Sequence, residues 1–174
     1  MTDPLHGRSV VLGVTGSIAA YKALDLASKM TQSGAIVDVI LTPSACRLVQ
    51  PLAFQALTQR PVLVDLFAPV GQAAIDHVTF ARRADLMVVA PITADTIARL
   101  ALGRADDALA ATALATRAPL LVAPAMEPNM WSHSATQAHV AVLRDRGVEF
   151  VGPEPGRMAS GQQGLDRIPC IVRL

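Results

Sequence analysis

The stretch "RSVVLGVTGSIAAYKALDLASKMTQSGAIVDVILT", residues 8–42, decides the fold. Its opening, "RSVVLGV" (8–14), is a short β-branched run that reads as a strand. "SIAAYKALDLASKMTQSG" (17–34) has helical spacing, with Ser17 as N-cap and Gly34 as stop. "AIVDVILT" (35–42) is a second strand. Both strands are apolar almost throughout rather than alternating, which is the pattern of strands covered on both faces.

The rest of the chain repeats the theme. "PSACRLVQPLAFQAL" reads as a helix broken near Pro51, and "RPVLVDLF" as a third strand. "ADLMVVAP" (84–91) and "APLLVAP" (118–124) are apolar strands that each end at proline. Between them "TADTIARLALG" and "ADDALAATALAT" are helical by period. "SHSATQAHVAVLRDRG" (132–147) is a further helix, "VEFVGP" a last short strand, and the tail from Glu154 reads as loop. Strand and helix alternate, so the expected fold is α/β: a Rossmann-like three-layer α/β/α arrangement with a mostly parallel sheet, built as one domain over 1–174.

Composition narrows the function. The chain has 174 residues, 52% of them hydrophobic, and Lys plus Arg (15) nearly balance Asp plus Glu (14). That suits a single buried core. With no basic run and few aromatics, a nucleic-acid surface is not expected. No apolar run is long enough to span a membrane, and "MTDPLHGRS" has no apolar signal core, so a cytoplasmic protein is expected. Cys46 and Cys170 do not make a disulfide framework. The His and Cys residues are scattered, so no metal site is expected.

In such folds ligands bind beyond the carboxyl ends of the strands. The turns there are "TGS" (15–17), "TPSA" (42–45), "PITADT" (91–96) and "PAMEPNMW" (124–131). Gly16 lets a ligand approach the backbone, and Ser17 adds a hydroxyl at a helix start. There is no Gly-Lys-Ser/Thr and no Gly-x-Gly-x-x-Gly. A dinucleotide site wants an acid after the second strand; Thr42, Pro43 and Ser44 stand there instead, which argues against NAD. Thr93, Asp95 and Thr96 supply more hydroxyls and one acid. Taken together, hydroxyls and amides from three turns suit one phosphate plus a polar ring edge. The rival reading is that each hydroxyl only caps its own helix. "APAMEPNMW" holds the only tryptophan, two prolines and two methionines, and reads as neither helix nor strand interior but as a loop covering a flat cofactor and a small substrate. His77, in "AAIDHVTFARRADL", is a candidate general base, with an ordinary surface or core histidine as the alternative.

Five segments, "GVTGSIAAYKALDLASKM", "ILTPSACRLVQPLAFQAL", "DHVTFARRADLMVVAPITADTIARLALGRADD", "LLVAPAMEPNMW" and "GRMASGQQGLDRI", together resemble the homo-oligomeric flavin-containing cysteine decarboxylases. The likeness covers about residues 8–168 in order and is greatest to the branch that acts in coenzyme A biosynthesis; the lantibiotic-type peptidyl-cysteine branch is also similar. The resemblance implies FMN held between subunits of a homo-trimer, often assembled into a homo-dodecamer. By position it implies FMN contacts at Gly16, Ser17, Ile18, Thr42, Ser44, Thr93, Ala94, Asp95, Thr96 and Ala125. It assigns His77 as the catalytic histidine and gives the substrate to the loop of Met126, Glu127, Asn129 and Met130. The implied reaction oxidises the carbon–thiol unit of a carboxyl-terminal cysteine to a thioaldehyde, whose thiocarbonyl draws the electrons released as carbon dioxide leaves. The implied substrate is 4'-phosphopantothenoylcysteine; the C-terminal cysteine of a ribosomal peptide precursor is the alternative, and a non-catalytic FMN-binding regulatory subunit is the alternative from another class.

Departures from the family pattern bear on the site. "PITADT" stands for "PASANT", so Asp95 replaces an amide. Glu127 stands where the family has an asparagine that helps hold the substrate carboxylate; an ionised Glu127 pointing at that carboxylate repels it. Either Glu127 points away, or it is protonated, or Asn129 takes over, and Asn129 is favoured. Ser160 occupies the position of the coenzyme A branch's cysteine. A hydroxyl ionises far less readily than a thiol, so the step that reduces the enethiol is expected to be slow or missing, or to be carried by another group.

Overall fold

Alternating strand and helix segments build a six-stranded, all-parallel sheet of order β3-β2-β1-β4-β5-β6. The computed structural model describes residues 3–68, 76–157 and 163–167. The strands are β1 (Ser9–Val14), β2 (Ile36–Leu41), β3 (Val62–Leu63), β4 (Leu86–Ile92), β5 (Leu120–Pro124) and β6 (Glu149–Phe150). The helices are α1 (Lys22–Gln32), α2 (Pro51–Thr58), α3 (Asp76–Arg83), α4 (Ala94–Ala101), α5 (Ala108–Ala115), α6 (Pro128–Ser132) and α7 (Ser134–Asp145). The chain reverses direction across the sheet between β1 and β4. Their carboxyl ends therefore open a crevice at a topological switch point.

Each central strand feeds both faces. Val10, Leu12 and Val14 pack under α1 and α2 with Leu26, Met30 and Phe54. Val11, Met87, Val89 and Val122 pack under the other layer with Phe80, Ile97, Leu109 and Val140. This two-sided burial is the physical reason the strands read as continuous apolar runs. Gly13 is needed for the second layer: a Cβ there would meet Leu109 Cδ1 at 2.7 Å. Phe54 is fully buried. Phe54→Ala is expected to cost about 3–5 kcal/mol through lost transfer energy and the cavity left behind, read as a lower urea midpoint with an unchanged slope.

A carboxylate lies deep inside this frame. Asp38, on β2, is 1% exposed. Its carboxylate accepts from Arg60 Nε at 2.7 Å and pairs with Arg83 at the end of α3. Arg83 also lies 4.7 Å over the Phe80 ring. The triad ties α3, whose first turn carries His77, to the sheet.

Several local readings change. The helix expected over 17–34 opens as a 3-10 turn, Ile18–Tyr21, capped by Ser17, before α1 begins at Lys22. Pro51 does break the next helix: a 3-10 turn, Ala45–Arg47, precedes it and α2 starts at Pro51 itself. The strand expected at 60–67 shortens to two residues. Helix α3 was not expected at all. "PNMWS" forms α6, because Pro128 sits in the first helical position where a missing N–H costs nothing. The tail is not all loop: β7 (Glu154–Arg157) pairs antiparallel with β8 (Gln163–Arg167). Among the described residues, no helix is long and apolar enough to cross a membrane.

Candidate active site

Three turns converge because their strands are neighbours. Thr15, 1% exposed, is the latch between two of them. Its hydroxyl donates to Pro91 O at 2.9 Å and accepts from the Thr93 N–H at 3.1 Å, while its own N–H donates to Pro91 O. The turn after β1 is thereby fixed to the turn after β4. The turn after β2 is fixed by Thr42, whose hydroxyl accepts from the Ala45 N–H at 3.2 Å. It lies so close to the first turn that a Cβ on Gly16 would meet Ser44 Cβ at 2.5 Å.

The result is a cleft of about 490 Å³ at the carboxyl edge of the sheet. Gly16, Thr42, Ser44, Thr93, Ala94, Asp95, Thr96 and Met130, all anticipated, line it together. Pro43, Arg99, Asp106 and Asp107 complete it. A smaller cleft of about 350 Å³ shares Ala94 and Met130 and adds Glu127, Asn129, His133 and Thr136. Ser17 caps the 3-10 turn, its hydroxyl accepting from the Ala19 N–H at 3.3 Å, and Ile18 is largely exposed. Ala125 and Met126 are buried; Ala125 continues β5 by donating to Ile92 O, and Met126 joins the core under α7. His77 lies in the first turn of α3 and lines neither cleft. Its Nδ1 is buried and finds no partner among the described residues. Ser160 lies outside the described residues.

Hydroxyls at this edge cap their own helices and also line the cleft. Thr93 caps α4, accepting weakly from the Thr96 N–H at 3.4 Å, and its hydroxyl lies 3.2 Å from that of Thr96. Yet both still line the cleft. The N–H groups that open α4 have no intrahelical partner. Gly16 N–H donates to no described group, so a donor stands free where an anion can approach.

The charged wall was not read from sequence. Arg99 pairs with Asp95 at 3.1 Å, Asp106 at 2.6 Å and Asp107 at 3.3 Å, and Arg104 pairs with Asp106. Burial alone would lower the Arg99 guanidinium, but Asp107, Asp95 and Asp106 outweigh it and hold it above its ordinary value. Arg99 is thus spent on its own wall rather than free to clamp an anion. Asp107 also caps α5, accepting from the Ala110 N–H at 2.7 Å. The Asp95–Arg99 spacing was legible as an i,i+4 pair; the link to Asp106 and Asp107 joins two elements and carried no periodic signal. Beside the second turn, burial pushes the Cys46 thiol up, which leaves it protonated and a poor nucleophile at neutral pH. Among the described residues no His, Cys, Asp and Glu cluster could hold a metal.

The Flavoprotein family model matches residues 2–173. The chain is 46% identical over 164 residues to the coenzyme A biosynthesis bifunctional protein CoaBC of Bacillus subtilis, covering 94% of this chain and 40% of that protein. It therefore spans about two fifths of the length of this curated relative. A solved variant of PPC decarboxylase in complex with pantothenoylaminoethenethiol superposes with a TM-score of 0.83 at 28% identity, over 97% of this chain and 94% of that one. The FMN-dependent cysteine decarboxylase SpaF superposes with a TM-score of 0.81 at 32% identity, over 92% and 91%.

Proposed function

Since the chain belongs to the Flavoprotein family, we propose that it binds FMN at the carboxyl edge of its sheet and decarboxylates 4'-phosphopantothenoylcysteine, a step of coenzyme A biosynthesis. One observation carries the reading: eight residues anticipated for cofactor or substrate, from separate turns, line one cleft. Its volume is in the range of small-molecule and cofactor sites, about 300–1,000 Å³. The similarity to CoaBC and to PPC decarboxylase supports this choice of substrate.

The residues present fit the group. A Gly16 N–H with no partner among the described residues, and the hydroxyls of Thr42, Ser44, Thr93 and Thr96, suit a phosphate and a polar ring edge. Bound there, FMN supplies a two-electron acceptor for the substrate's carbon–thiol unit. The chain's own residues do the rest. Gly16 and the turn hydroxyls hold the cofactor, with Ser17, Ile18 and Ala125 setting the backbone beside it. Met130 covers the space shared by the two clefts. His77 moves a proton at the reacting cysteine. His77 lines neither cleft of its own chain, which suits a site shared between subunits of the homo-trimer that the resemblance implies. Ile18, Tyr21, Leu48 and Leu52 leave large apolar side chains exposed for such contacts.

Mass spectrometry tests the reading. The FMN-loaded protein is incubated with 4'-phosphopantothenoylcysteine and, separately, with a peptide ending in cysteine. The expected result is loss of carbon dioxide from the first. With Ser160 in the cysteine's place, product lacking two further hydrogens accumulates. Reaction of the peptide alone would move the chain to the peptidyl-cysteine branch. No reaction with either, in a protein that holds FMN, would favour the non-catalytic regulatory subunit and contradict the decarboxylase reading.

A further inference from the structure

The loop after β5 uses its one acid internally. Glu127 Oε2 accepts from the Asn129 N–H at 2.8 Å and the Met130 N–H at 3.2 Å, and Oε1 accepts from Asn129 Nδ2 at 3.1 Å. A carboxylate offers about four lone-pair sites, so most of its capacity is committed within five residues of chain. Its charge lies against the first N–H groups of α6. The far end of the loop is held as well: Trp131 N–H donates to Glu127 O at 3.0 Å, and Gln137 Nε2, from α7, donates to Trp131 O at 2.6 Å. The segment from Glu127 to Trp131 is a ring of hydrogen bonds anchored on α7.

This ring fixes Asn129. With Nδ2 turned to a carboxylate, the flipped amide would set two acceptors face to face. Oδ1 and the second Nδ2 hydrogen have no partner among the described residues and can meet a ligand. Asn129 lines the smaller cleft, beside Met130, which lines both.

We propose that Glu127 is a positioning residue: its carboxylate holds the Asn129 amide and Met130 over the substrate, and Asn129, not Glu127, meets the substrate carboxylate. This rests on the decarboxylase reading and assigns the loop's acid a role within it. The two possible roles of Glu127 differ in sign. A carboxylate facing the substrate repels it, and removing the charge tightens binding. A clamp holds the loop in register, and breaking it weakens binding.

The test uses the FMN-loaded protein as wild type, Glu127→Gln, Asn129→Ala and the double variant. Glutamine keeps the length and one oxygen for a backbone N–H, but sets an NH2 against that of Asn129. Glu127→Gln is expected to raise KM about tenfold, with kcat changed less. The double variant is expected to lose less than the two single losses multiplied together, since part of the effect of Glu127 passes through Asn129. A lower KM in Glu127→Gln, or losses that multiply in the double variant, would overturn the proposal. Trp131, the only tryptophan, gives a readout without turnover. Its fluorescence anisotropy is expected to fall in Glu127→Gln and to recover in Glu127→Asp, aspartate being a strong N-cap. Unchanged anisotropy in Glu127→Gln would overturn the clamp. If the wild type acts on no cysteine substrate, the decarboxylase reading fails, while the anisotropy still decides the clamp.

Discussion

Replacing His77 by asparagine is expected to leave the purified protein yellow and to lower its decarboxylation rate by about 10²–10⁴-fold, the usual contribution of a positioned proton-transfer group. Asparagine retains a comparable polar reach but exchanges no proton near neutrality. The motivation is geometric. His77 stands on the first turn of α3, and its Nδ1 is buried with no partner among the described residues. A buried nitrogen left unpaired is costly, and a site that supplies its partner only on assembly or on ligand binding accounts for it. The helix beneath it is not free to drift, because Arg83 at its other end is paired with the buried Asp38. Single-turnover rates with 4'-phosphopantothenoylcysteine, alongside the visible spectrum, check both halves of the expectation. Equal rates in wild type and variant would remove His77 from the mechanism.

Gly16→Ala acts on the other half of the site. The added Cβ would lie 2.5 Å from Ser44 Cβ and 3.2 Å from the Ser44 carbonyl carbon. The second neighbour is backbone and cannot rotate away. The turns after β1 and β2 must separate, and Thr15 resists this by its bonds to Pro91 and Thr93. Overpacking of this kind costs about 1–3 kcal/mol, or about 5- to 150-fold in the dissociation constant for FMN. Titration of apoprotein with FMN, followed by quenching of flavin fluorescence, measures it. The fold should survive, since Gly16 lies in a turn at the rim rather than in the sheet. Wild-type affinity in Gly16→Ala would contradict the placement of the phosphate and ring edge at this turn.

The layered fold was legible because its cause is local and repeated. Apolar runs such as "VVLGV" and "LMVVAPI" bury both faces, with a glycine or proline next to last in each. The ligand edge was legible for the same reason: once the strands are parallel, the turns that follow them share one side. What escaped was either too short to show a period or depends on contacts between distant segments. Helix α3 is short and mostly polar, with Phe80 and Ala81 as its buried apolar residues, so its period was too brief to register. Helix α6 was hidden by Pro128, which breaks helices except in the first turn, where it sits. Of two similar methionines, Met126 is in the core and Met130 at the cleft, because Ala125 extends β5 through Ile92 and turns the next side chain inward. Glu127 suggested repulsion when read alone; its carboxylate proved to be occupied by Asn129 and Met130. The Arg99 wall needed α4 and the loop before α5 side by side.

The central claim is that turns poor in free positive charge grip FMN through main-chain N–H groups and hydroxyls. The visible absorption spectrum of the purified protein, followed by release and identification of any chromophore, tests it most directly. The account predicts a yellow protein carrying about one FMN per chain, or a colourless one that takes up added FMN to that ratio. A colourless protein that binds no added FMN would contradict it.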